Sequence, residues 1–126
     1  MIRIMGGIGL LFAWMVITTA PAVAGEANVS NIETLFAQKD TLTGKRIKIS
    51  GKVVKVNNGI MGKNFFHLQD GSGKSPANDL TVTTQEVVKV GDQVTVTGLV
   101  TVNRDFGAGY SYPLILEEAT VAPSGH

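Results

Sequence analysis

The chain has 126 residues, with 15 glycines, no cysteine, and 11 basic residues against 10 acidic ones. Without cysteine, thiol catalysis, cysteine-zinc sites, iron–sulfur clusters and c-type haem attachment are excluded, and an exported domain must be stable through packing alone. Arg3 falls in a predicted leader, so its removal leaves the mature chain neutral, a poor global profile for a protein held on nucleic acid by phosphate contacts.

Met1 to Arg3 form a short basic start. Ile4 to Thr19 contain an apolar stretch with Leu10, Leu11, Phe12, Trp14, Met15, Val16 and Ile17, and Ala22-Val23-Ala24 supplies a small-x-small cleavage pattern. A signal peptide over 1–24, cut after Ala24, is expected, because the apolar run is short for a span of about 20 residues and is followed by small residues and a proline. No twin arginine and no cysteine mark the cut, so neither folded export nor a lipid anchor is supported. The expected product is periplasmic or secreted, without a membrane anchor. Its ~100 residues suffice to bury about two-thirds of the unfolded surface in one core.

Gly25 to Val29 reads as a flexible lead-in. Ser30-Asn31-Ile32-Glu33 has capping-box spacing before Leu35 and Phe36, which predicts a helix from Asn31 to Lys39 whose Ile32, Leu35 and Phe36 plug one end of the fold. These residues make up a segment 25–44. From 45 to 121 the period is two and threonine and valine dominate, so strands are expected. The first is Lys45 to Asn57, with Gly51 at a bend where one strand serves two sides of a barrel. A loop over 57–63 precedes a second strand, Asn64 to Asp70. Asp70-Gly71-Ser72-Gly73 is turn chemistry, extended by 74–79. Leu80 to Thr84 and Gln93 to Val102 follow, the latter bending at Gly98. A glycine-rich loop, Asn103 to Ser111, leads to Tyr112 to Val121, and 122–126 is a tail. Five short strands with glycines inside the first and fourth predict an all-β, five-stranded closed antiparallel barrel with a short N-terminal helix.

Alternation places Phe66 and Leu68 inward and Phe65, His67 and Gln69 outward. Thr41 to Gln69 holds Lys45, Arg46, Lys48, Lys52, Lys55 and Lys63 with no acidic residue, which makes either a solvated strand face or a local basic face. His67 lies near Asp70, but the only other histidine is terminal, so no metal site is expected. No cofactor motif, no Ser-His-Asp ordering and no acid–base pair stand out, and an enzyme is not expected.

Three patterns carry a resemblance: Ile47-x-Ile49-x-Gly51-x-Val53, then Phe65-Phe66-His67-Leu68-Gln69-Asp70-Gly71-Ser72-Gly73, then Val90-Gly91-Asp92-x-Val94-x-Val96-x-Gly98. Over Lys45 to Val102 the chain resembles the OB-fold nucleic-acid-binding family of the anticodon-binding-domain type. With Gly59-Ile60-Met61-Gly62 and Asp105-Phe106-Gly107-Ala108-Gly109-Tyr110-x-Tyr112-Pro113 it also resembles a group of small exported bacterial OB-fold proteins. The resemblance implies a binding module for single-stranded oligonucleotides. Phe65, Phe106, Tyr110 and Tyr112 would stack on bases, and His67, Gln69, Lys48, Lys52, Lys55, Lys63 and Arg104 would make polar or phosphate contacts. The chain departs from the family in two places: Gln69 stands where arginine is frequent, and little room remains for a helix between the third and fourth strands. Two other roles fit the same residues. One is an accessory protein docking on an envelope or redox complex through the Phe106 to Tyr112 loop, and the other is an oligosaccharide binder.

Overall fold

The computed structural model describes residues 26–107 and 109–124. The leader expected over 1–24 lies outside them. No helix among the described residues is long and apolar enough to cross a membrane.

Six strands and two short helices run in the order β1 (Glu26–Asn28), α1 (Ile32–Ala37), α2 (Lys39–Leu42), β2 (Arg46–Ile60), β3 (Lys63–Gln69), β4 (Leu80–Thr84), β5 (Gln93–Gly107) and β6 (Tyr110–Pro123). They form one sheet in the order β1-β2-β3-β4-β6-β5, and β5 pairs back with β2, so β2, β3, β4, β6 and β5 form a ring of pairings to which β1 is added at β2. The pairings are antiparallel except for β1–β2 and β4–β6, so the expected five antiparallel strands are corrected to six strands with two parallel pairings.

The partner change predicted near Gly51 is present. Residues Arg46 to Lys52 pair with β5, and from Lys52 onward β2 pairs with β3. A Cβ on Gly51 would sit 2.8 Å from Leu68 Cγ and 2.9 Å from the Gln69 carbonyl oxygen, so only glycine allows β3 this close. The bulge itself falls later, between Val53 and Lys55. Gly98 has the equivalent role against β6, where a Cβ would meet Leu116 Cγ at 2.8 Å.

Period-two burial along β2 carries Ile47, Ile49 and Val53 into a core shared with Phe66, Leu68, Leu80, Val82, Val96 and Leu116. Helix α1 adds Ile32 and Leu35 to this core. Asn31 caps the helix by accepting from the Thr34 amide. The amides of Ile32 and Glu33 donate to Asp70 Oδ2 and Ser72 Oγ, at 2.9 and 3.0 Å. The Asp70-Gly71-Ser72-Gly73 turn therefore fastens the helix over one end of the core as well as reversing the chain.

Three local expectations need correction as well. The lead-in is partly a strand, because Glu26 to Asn28 pair in parallel with Arg46 to Lys48. All three residues are exposed, so main-chain bonding alone holds them. The loop expected over 57–63 is reduced to Met61-Gly62, since β2 continues to Ile60. The long loop expected from Asn103 to Ser111 is a hairpin, with Arg104 paired to Tyr112 and Gly107 to Tyr110. Positive φ at Asn103 (52°) and Gly107 (85°) lets the ladder bend without breaking.

Candidate functional site

The outer face of β3 carries Lys63, Phe65, His67 and Gln69 in sequence, as the alternation requires. Phe65 is nevertheless only 2% exposed and does not belong to the core cluster. It is covered from outside. The Phe106 ring meets it edge to face at 5.5 Å between centroids, and the Tyr112 ring lies 6.3 Å away, with Phe106 and Tyr112 themselves 6.1 Å apart. Ile115 is 0% exposed and also stands outside the core cluster, so part of β6 is buried on both faces. Phe65 therefore cannot offer a free ring face to a base. It is the floor under two aromatics of the β5–β6 hairpin.

Arg104 is similarly engaged. Its Nε donates to Glu117 Oε2 at 2.9 Å, and its guanidinium carbon lies 4.3 Å from the centre of the Phe106 ring. Thr101 Oγ1 donates to the other carboxylate oxygen of Glu117. These contacts pin the hairpin to the sheet and spend the Arg104 charge internally. Near the hairpin turn, Tyr110 is 39% exposed. Burial and the neighbouring Tyr110 push the Tyr112 hydroxyl above the ordinary phenol range.

Along β3 from the aromatics, His67 faces Lys55 and Gln69 faces Lys52 across the β2–β3 ladder. Lys48 lies further along β2, where it pairs with Asn28 and Thr97. Lys48, Lys52 and Lys55 are exposed. Among the described residues the ion pairs are Lys39–Asp40 and Arg104–Glu117, and Asp79 contacts His67, so these three lysines meet no carboxylate. Lys63 is set apart from them. It lines a cavity of about 270 Å³ with Thr84, Gln85, Glu118 and Thr120, beyond Phe65. A wider cavity of about 500 Å³ opens beside Lys52, Gln69 and Asp70.

Sequence reasoning missed Asp79. Its Oδ1 lies 2.6 Å from His67 Nδ1, and its Oδ2 accepts from Gln69 Nε2 at 2.9 Å. The partner of His67 is thus Asp79 and not Asp70, which serves the helix and Ser72. No group of three or more possible metal ligands occurs among the described residues.

The site combines a fixed aromatic step, made by Phe106 and Tyr112 over Phe65, with a row of exposed ammonium groups that leads away from it along β2. No family model matches the chain, and no curated protein matches it. Solved structures do. A DUF3299 family protein of Pseudomonas aeruginosa aligns with TM-score 0.51 and 18% identity over 68% of this chain and 65% of its own. The asparaginyl-tRNA synthetase of Entamoeba histolytica aligns with TM-score 0.52 and 14% identity over 80% of this chain. A lipoprotein of Klebsiella pneumoniae, itself proposed to bind nucleic acid, aligns with TM-score 0.51 and 19% identity over 80% of this chain and 95% of its own. The chain spans only 24% of the synthetase. At these identities the likeness is one of fold, and the fold is OB-like.

Proposed function

We propose that the chain is an exported, non-enzymatic binding module of the OB-barrel type whose β2–β3 face holds a single-stranded oligonucleotide. The observation that carries this reading is the row of Lys55, Lys52 and Lys48, all exposed and without carboxylate partners among the described residues, that runs along β2 away from the strand position opposite Phe65 and its covering Phe106–Tyr112 step. Unpaired bases stacking on exposed aromatic faces gain about 1–3 kcal/mol each, and cations tracking the backbone add a salt-dependent term. Tyr110 is the freest ring for such stacking, and Phe65 supports the others from below. The neutral mature chain need not attract polyanions as a whole, because the cations are gathered on one strand. Export rests on the leader pattern over 1–24, and the Klebsiella lipoprotein of the same fold supports both halves of the reading.

Fluorescence anisotropy of labelled single-stranded DNA, single-stranded RNA and duplex, titrated with the mature chain at low salt, tests the proposal. Binding of single strands in preference to duplex is expected, since splayed bases are what the aromatic step accommodates.

A second reading has an observation of its own. Val87 and Val90 are 74% and 64% exposed in the connection between β4 and β5. Two exposed valines in one connection suit docking on an envelope protein. Failure of every oligonucleotide together with capture of a defined envelope partner through Val87 or Val90 would favour it.

A further inference from the structure

Asp79 lies in the connection between β3 and β4, and its carboxylate is engaged by two neighbours on the outer face of β3. An ionised carboxylate can only accept, so both bonds have one polarity. His67 holds its proton on Nδ1, and Gln69 turns its amine toward Asp79. The other polar atoms of both side chains are then fixed as well. In the neutral ring His67 Nε2 is an acceptor, and Gln69 Oε1 is an acceptor, with no protein donor bonded to either among the described residues. Lys55 and Lys52 stand directly across the ladder from them and can only donate.

We infer that this part of the face reads guanine in the bound strand. His67 Nε2 and Gln69 Oε1 accept from the N1–H and the N2 amine, and Asp79 is the positioning residue that holds the acceptor pair. The inference rests on the oligonucleotide reading above and adds a base preference to it. Guanine alone among the common bases puts two donors side by side on its pairing edge. Adenine and cytosine set an acceptor beside their single amine, and uracil and thymine flank one donor with two acceptors. Without Asp79 the histidine tautomer and the glutamine amide could each turn either way, and the preference would average out.

The test uses the mature chain at a mildly alkaline pH. Short thymine-rich single strands carrying one central guanine, inosine or adenine are compared. The guanine strand should bind roughly tenfold tighter than the adenine strand, the scale of one bidentate base contact, with inosine between them because it lacks the N2 amine. Asp79→Asn should bring the guanine-to-adenine ratio close to one, since an amide must donate to one of the two partners and reverses it. The ratio is the readout, so general weakening of the fold does not imitate the result. The inosine comparison needs no variant at all. Equal binding of the three strands by the unaltered chain overturns the base preference and leaves oligonucleotide binding standing. A preference that survives Asp79→Asn overturns the role of Asp79. Failure of all strands to bind at low salt overturns the oligonucleotide reading and this inference with it.

Discussion

Phe106 on β5 stands edge-on to Phe65 on β3, 5.5 Å between ring centres and 72° between planes, although forty residues of chain separate the two strands' aromatics. The contact turns a residue with the sequence position of an exposed platform into a support. Truncation should therefore act first on stability. Phe65→Ala is expected to cost about 3 kcal/mol in urea denaturation, in line with other buried aromatics. Amide exchange at the β5–β6 hairpin should accelerate in the same variant. A loss of ligand affinity with stability unchanged would mean that Phe65 itself meets the ligand.

The tight approaches at Gly51 and Gly98 predict a different kind of damage. In both, an added methyl meets a leucine Cγ at 2.8 Å and a backbone oxygen at 2.9 or 3.0 Å. Gly51→Ala and Gly98→Ala should each cost about 1–3 kcal/mol through overpacking. Gly62→Ala meets no atom, but its φ of +77° leaves a strain cost of about 1 kcal/mol. Thermal denaturation of the three variants would rank them, and a neutral Gly51→Ala would show that β2 and β3 can separate freely.

Cations on this face should divide into two sorts. Lys52→Ala and Lys55→Ala should each lower the magnitude of the log–log salt slope by about 0.7, the loss of one phosphate contact on a single strand. Arg104→Ala should leave that slope alone, because Glu117 and Phe106 already occupy the guanidinium. Its effect should appear as faster exchange in the hairpin. A drop in slope for Arg104→Ala would place a phosphate on it.

Tyr112 links the same cluster to alkaline pH. Its hydroxyl is raised above 10.0 by burial and then by Tyr110, so the folded state holds the proton more firmly than the unfolded chain does. The associated stability is fully present below the unfolded value and is lost as pH rises through the folded one. Unfolding monitored above about pH 10 should show declining stability, and Tyr112→Phe should flatten the decline. An unchanged slope in Tyr112→Phe would assign the alkaline effect elsewhere.

Much of the fold is written in local patterns. Alternation in Ile47-Lys48-Ile49 and Phe66-His67-Leu68 gives both strands and their inner faces, and Gly51 and Gly98 mark close approaches because a side chain there has no room. Strand β1 escapes such reading, since Glu26, Ala27 and Asn28 bury nothing and pair only through the main chain. The hairpin escapes it for another reason. Asn103 and Gly107 look like loop residues, yet their positive φ values bend a ladder that continues through them.

The site was legible by residue type and much less by state. Phe65, His67, Gln69 and Arg104 lie where strand parity or the hairpin puts them, but what each one does is set by a distant partner. Phe106 covers Phe65, Glu117 takes Arg104, and Asp79 holds both His67 and Gln69. Asp79 follows a proline-containing loop that has no periodicity, so nothing local marks it. The lysines of β2 are the exception, because a run without acidic residues already limits the partners nearby.

The central claim, a salt-dependent hold on single strands by the β2–β3 face, is tested most directly by measuring oligonucleotide affinity across a salt series. With Lys48, Lys52 and Lys55 on three phosphates, log K should fall against log salt with a slope of about −2. No binding at low salt, or binding with a slope near zero, would contradict it.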